Sequence, residues 1–270
     1  MSNRAILTWR GAEVHEEDMK ILKNPSGWLT DRLITFYFEH LQKIHPQHIF
    51  VGAESAFWMR HETDEEDVTA AVEALGLLSE GVRPPADAGD ATQERQAVGR
   101  KVFFPVNNHE DWERIGGTHW SLLVYDLGRP AQSGTTSEEH PALASWTHYD
   151  SGNNLNASAA QKFVGKMDRI LGQSLSSSSL AAIEDNVPQQ QNGHDCGLYV
   201  LSFAEALAGV RDVVAATSEQ LGDKRNGAVL PPSTAASKLQ AQITSDAVAR
   251  KRLEILNLIE EYASANNKGF

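Results

Sequence analysis

The chain has 270 residues, 41% of them hydrophobic, with 24 Lys and Arg against 36 Asp and Glu for a formal net charge of −12. That length and apolar content can bury a sizeable core, and the negative balance disfavours nucleic acid as a partner and favours one that carries basic residues. A single cysteine rules out an internal disulfide and a thiolate-rich zinc site, and no apolar run approaches the roughly 18 residues that cross a bilayer. The N-terminal MSNRAILTWRGAEVHEED has no basic flank leading into a signal-like apolar region. The expectation is a soluble intracellular protein in a reducing compartment, cytoplasmic or nuclear, monomeric, with no membrane contact.

In chain order, PSGWLTDRLITFYFEHLQKI places Leu29, Leu33, Phe36, Tyr37, Leu41 and Ile44 at helical spacing, with Ser26 or Thr30 able to cap the start. HIFVG predicts a short strand and ESAFWMRHE one or two helical turns. EEDVTAAVEALGLL sets Val68, Ala71, Val72, Leu75 and Leu78 on one face, with acidic residues in the first turn where they complement the helix dipole. KVFFPVN, THWSLLVYD and SWTHYD are short, β-branched and aromatic, and predict three neighbouring strands in a meander or antiparallel sheet centre. ASAAQKFVGKMDRILG is helical with Phe163, Met167, Ile170 and Leu171 on its apolar face, and SLAAIEDNV can hold a further strand. DCGLYVLSFAEALAGV predicts a buried helix, and SDAVARKRLEILNLIEEYAS an amphipathic one that closes the chain. One domain over 1–270 is expected, with flexible insertions near 79–98, 127–144 and 208–244, where Gly, Pro, Ser and charge occur without period.

Cys196 follows the turn NGHD and opens the apolar helix. Two readings stand. Cysteine is among the most buried residue types, so this is a core thiol at a helix start; equally, a helix N-terminus stabilises a thiolate and so can present a nucleophile. A nucleophile also needs a histidine base and a group that orients it. Of the ten histidines, His119 lies at a loop-to-strand junction after two glycines, whereas His148 lies within a strand and reads as a packed or surface residue. His194 is poorly placed to reach the sulfur, and the remaining histidines, His48 among them, read as solvent-exposed. Asp150 ends the strand SWTHYD, where an aspartate commonly starts a turn. No histidine pair has a spacing that argues for zinc.

GGTHWSLLVYD, HYDSGNN and PQQQNGHDCGLYV, in that order, resemble the motifs of the ubiquitin-like-modifier cysteine proteases of the sentrin-specific or Ulp type, and are most similar to the deneddylase branch. GWLTDRLITFYFEHL resembles the WLND helix of that branch. The resemblance implies an α+β fold of the papain-like superfamily, with a mostly antiparallel central sheet flanked by helices. It implies Cys196 as nucleophile, His119 as base, Asp150 as the group orienting His119, and Gln190, six residues before the cysteine, as an oxyanion-hole donor, with Gln189 and Gln191 close enough for a one-residue error of register. Trp28 and Trp120 match tryptophans that cover a tunnel for a Gly-Gly tail, although both could be core aromatics, and Asp31 matches an acidic residue that pairs with an arginine of the modifier. No cofactor and no metal are implied. The implied partner is a Nedd/Rub-type modifier with its conjugates, cullin-type targets included.

Two positions depart from the pattern. Thr30 stands where asparagine is usual, a change expected to be tolerated, and His194 stands where tyrosine is common, placing a titratable group near the sulfur. Three alternatives to a deneddylase remain at this point: a SUMO-specific protease, a non-catalytic modifier-binding module, and an acetyltransferase on the same scaffold.

Overall fold

The computed structural model describes residues 4–78, 100–110, 116–128, 144–172, 182–184, 186–209 and 235–268. Its organising feature is the period-two sorting of three apolar strands. In β4 (Lys101–Asn107), Phe103 joins one buried cluster while Val102, Phe104 and Val106 join the other. In β5 (Trp120–Asp126), Leu122 and Val124 face the first cluster and Leu123 and Tyr125 the second; in β6 (Ser145–Tyr149), Tyr149 and Trp146 divide the same way. A strand that reads as continuously apolar therefore lies in a sheet covered on both faces.

β4 pairs antiparallel with β5 and β5 antiparallel with β6. The edges are parallel: β3 (Ile49–Phe50) runs beside β4, and β7 (Ala182–Ile183) beside β6. The expected antiparallel centre is present, and the five-stranded sheet as a whole is mixed. Pro105 is tolerated within β4 because the ladder with β3 reaches only Phe103, leaving that flank free of a bond Pro105 could not donate.

On the first face lie α2 (Asp31–Ile44), α6 (Cys196–Gly209) and α8 (Ser245–Lys268); on the second lie α4 (Glu65–Ala74), α5 (Ala157–Ile170) and most of the buried face of α3 (Ala53–His61). Thr30, rather than Ser26, caps α2 by accepting from Leu33 N at 3.3 Å, and it donates to Asp18 Oδ1 at 2.8 Å. The threonine at this position is thereby accommodated.

Some elements differ from the sequence reading. Residues 5–23 form a hairpin, β1 (Ala5–Trp9) and β2 (Ala12–His15), followed by α1 (Glu16–Lys23). Arg10 and Gly11, both at positive φ, make its two-residue turn, and Trp9 packs on Tyr262 of α8 with ring centroids 4.3 Å apart. The expected insertion at 79–98 lies outside the described residues, as do most of 127–144 and of 208–244. The described end of the last range is not irregular: α7 spans Ala235–Gln242 and buries Ala236 and Leu239. His48, read as exposed, is 2% exposed, because Ile49 and Phe50 draw it beneath the sheet edge, where its Nδ1 accepts from Lys101 N at 3.2 Å. Burial holds its pKa down at about 4.

Candidate active site

Strand pairing carries the site. The register Leu122↔Tyr149 brings the start of β5 and the end of β6 to one end of the sheet. His119, just before β5, and Asp150, just after β6, meet there, with His119 Nε2 2.5 Å from Asp150 Oδ1. Both are buried, at 3% and 1% exposure. α6 packs on β5, and its first residue is Cys196.

Asp150 is fully engaged. Oδ1 also accepts Gly152 N at 2.8 Å and Oδ2 accepts Asn156 N at 2.9 Å. Burial opposes its charge, but the bond to His119 and the two backbone donors win, and its pKa lies below the usual carboxylate value. Burial likewise opposes the imidazolium of His119; hydrogen bonds to Asp150 and to Cys196 outweigh it and raise the pKa to about 9. With Nε2 on Asp150, Nδ1 is the ring nitrogen left for the thiol. A positively charged imidazole between a carboxylate and a sulfur can pair with a thiolate and can return a proton to a leaving amine.

Four residues not singled out in the sequence fix this geometry. Asn156, fully buried, donates from Nδ2 to Val106 O at 2.9 Å, His119 O at 3.3 Å and Ser121 Oγ at 3.0 Å. Asn108 Oδ1 accepts from Thr118 N and His119 N. Gly152 lies flat on the imidazole, where a Cβ would fall 2.5 Å from His119 Cε1. Ser151 donates to Gln190 Oε1 at 2.8 Å. Their signal in the sequence is the asparagines and glycine that border the strands in VNNH and DSGNNLN, residue types that bond backbone as readily as they turn it.

The glutamine run resolves by its bonds. Gln189 is used structurally: its Nε2 donates to Asp150 O and Val187 O, and its Oε1 accepts Asn153 N. Gln191 is exposed and donates to Gln189 O. Gln190 is held between Ser151 and Asn192 O, to which Nε2 donates at 2.6 Å, and this leaves its amide a second N–H with no further acceptor among the described residues.

Trp28, 47% exposed, precedes Leu29, which is buried against the start of α6. A Cβ on Gly197 would come within 2.8 Å of Leu29 Cβ, so Leu29 fills the space beside Cys196 that the glycine leaves. Trp120 opens β5, partly buried against the first cluster. Asp31 opens α2 half-buried, accepting from Arg32 N at 2.9 Å. His148 is a packed strand residue, 1% exposed, with Nε2 2.9 Å from Ser121 Oγ. Among the described residues, no group of three or more His, Cys, Asp or Glu could hold a metal ion, and no helix is long and apolar enough to cross a membrane.

Residues 94–219 match the Ulp1 protease family, C-terminal catalytic domain. The probable sentrin-specific protease 8 of Dictyostelium discoideum is 28% identical to this chain over 96% of its residues and 98% of the relative's. The NEDD8-specific protease 1 of Arabidopsis thaliana is 25% identical over 75% of this chain and 74% of its own. A solved structure of the C-terminal Ulp1 protease domain in complex with Smt3, the yeast ortholog of SUMO, superimposes with a TM-score of 0.53 at 16% identity, covering 97% of this chain and 90% of that one. At that identity the overlay speaks to the fold.

Proposed function

Because the chain carries a Ulp1-type cysteine protease domain, we propose that it is a deneddylase: it hydrolyses the bond after the C-terminal Gly-Gly of a Nedd/Rub-type ubiquitin-like modifier, in precursors, in conjugates, or in both. In this reading Cys196 is the nucleophile. Its thiolate attacks the glycine carbonyl carbon, His119 passes a proton to the departing amine, and a water activated by the then neutral His119 hydrolyses the thioester. Asp150 orients His119 and stabilises its charge. Gln190 and the backbone N–H of Cys196 are the donors for the oxyanion.

The observation that carries the reading is the placement of one buried imidazole against both the Asp150 carboxylate and the sole thiol of the chain, with its pKa raised to about 9. A non-catalytic binding module gives no account of an imidazole held between a carboxylate and the thiol. Cys196 is 2% exposed and Leu29, next to Trp28, packs on the residue after it, in keeping with a slender extended tail of glycines. The Nedd-type preference draws support from the names of the relatives and from the closeness of GGTHWSLLVYD and HYDSGNN to the deneddylase motifs. Trp28 and Trp120 would flank the tail and Asp31 would meet an arginine within it, in keeping with the net charge of −12.

The test is a panel of Nedd-type, SUMO-type and ubiquitin probes that carry a C-terminal electrophile, read by intact-mass spectrometry. The Nedd-type probe is expected to add at Cys196 and to fail with Cys196→Ala. Reaction with the SUMO-type probe alone would reassign the specificity, and no adduct with any of the three would remove the protease reading.

A further inference from the structure

We propose that Arg252 of α8 is a positioning residue for the Cys196 reaction, tying the segment before Trp28 to the residue before the nucleophile and offsetting a carboxylate beside the thiolate; this rests on the protease reading above. Arg252 Nη2 donates to two acceptors, Gly27 O at 2.5 Å and Asp195 Oδ1 at 3.0 Å. Gly27 immediately precedes Trp28, and Asp195 immediately precedes Cys196. The contact continues on the other side of Asp195: Oδ2 accepts Asn192 Nδ2 at 2.8 Å, and Asn192 O accepts Gln190 Nε2. The three segments proposed to bind the tail, supply the oxyanion donor and carry the thiol are therefore joined through one guanidinium.

That guanidinium is a costly way to fill space. Arg252 is 7% exposed, and its Nη1 is buried without a hydrogen-bond partner among the described residues. An apolar side chain of similar volume commonly stabilises a fold at least as well as a buried ion pair, so the charge points to a role beyond packing. Asp195 supplies that role. A carboxylate next in sequence to Cys196 works against the thiolate that the helix start favours, and a cation 3.0 Å from that carboxylate cancels much of its field. Among the described residues, Tyr199 of α6 donates its backbone N–H to Asp195 O at 3.0 Å and lies within reach of the Asp195 charge. His194 approaches Asp195 Oδ1 at 3.9 Å, Lys23 of α1 lines the same cleft as Arg252, and His119 with Asp150 faces the thiol from the sheet. Of these, Arg252 is the one bonded to both the Trp28 segment and the α6 start.

The experiment measures alkylation of Cys196 by iodoacetamide against pH, together with kcat and KM on a modifier-tail substrate, in full-length wild type, R252Q, R252K, D195N and the D195N/R252Q double variant. R252Q is expected to move the acidic limb of alkylation up by about one pH unit, a tenfold loss of reactivity below the limb. It is also expected to raise KM, because Gly27 is released. R252K keeps the charge and is expected to keep the limb. In the D195N background R252Q moves the limb no further. A folded R252Q with the wild-type limb overturns the proposal, as does an equal shift with and without Asp195. If R252Q does not fold, D195N alone decides: the limb is expected to fall, and an unchanged or raised limb overturns the proposal. Wild type that forms no modifier adduct would instead remove the protease reading, an outcome separate from all of these.

Discussion

Two histidines at the same end of one sheet have opposite acid–base character. His119 and His148 are 3% and 1% exposed, so desolvation presses both toward the neutral form. His148 meets the hydroxyl of Ser121 and its pKa falls to about 4 through burial, despite some attraction from Asp150. His119 meets the Asp150 carboxylate and Cys196 and its pKa rises to about 9. Burial alone makes an inert, neutral ring; burial against a carboxylate that is itself held by backbone donors makes a cation. The chemistry of this site therefore depends on how firmly Asp150 is kept ionised, which is the task of Gly152 N and Asn156 N.

The largest test of this contrast is Asp150→Asn. It removes the charge that distinguishes the two histidines and turns an amide NH2 toward groups that already donate. A loss of about 10²–10⁴-fold in kcat/KM is expected. The alkaline limb of the rate, set by deprotonation of the His119 cation, should fall from near 9 toward the ordinary histidine value of about 6.5. The sign follows from linkage. A group whose pKa is raised in the fold contributes stability that is fully present below about 6.5 and lost as pH rises through about 9, so melting temperatures of wild type and variant should converge at alkaline pH. An unmoved limb would mean that Asp150 orients His119 without charging it.

If Gln190 is the proposed oxyanion donor, Gln190→Ala should have a smaller effect, about a hundredfold in kcat with KM little changed, since such a donor acts in the transition state and not on the bound substrate. The same loss from Gln189→Ala would point instead to the Asp150 backbone, which Gln189 holds. The smallest effect on activity is expected from His148→Gln, which leaves kcat/KM within a few-fold. Its mark is on acid stability. A histidine kept neutral in the fold to about 4 contributes stability that is present above about 6.5 and lost as pH falls toward 4, amounting to about 3 kcal/mol when complete. Chemical denaturation at pH 7 and pH 4.5 should show a smaller pH-induced loss in His148→Gln than in wild type, with His48 supplying much of the remainder.

The sequence made the centre of the molecule legible and its borders less so. KVFFPVN became β4 residue for residue, and the helix from Cys196 was plain because its apolar character and the turn before it agree. The strand reading placed His119 and Asp150 each at a strand terminus, and their pairing was implied by the family resemblance; adjacent antiparallel strands bring such ends together. The hairpin at the N-terminus was missed because four or five residues on each side of Arg10-Gly11 are too short a pattern; its stability comes from Trp9 on Tyr262, a contact more than 250 residues away in the chain. Asn156, Asn108 and Arg252 were missed for a related reason. Their work consists of bonds to backbone and to remote segments, which leave no periodic trace.

The central claim, that Asp150 and Cys196 make His119 a cation at neutral pH while His148 stays neutral, is most directly tested by ¹⁵N NMR of histidine-labelled protein across pH. His119 should keep both ring protons through pH 8 and lose one near 9, and His148 should remain singly protonated down to about 4. If His119 is neutral at pH 7 and titrates alongside His148 in the acidic range, the imidazolium account of this site is wrong.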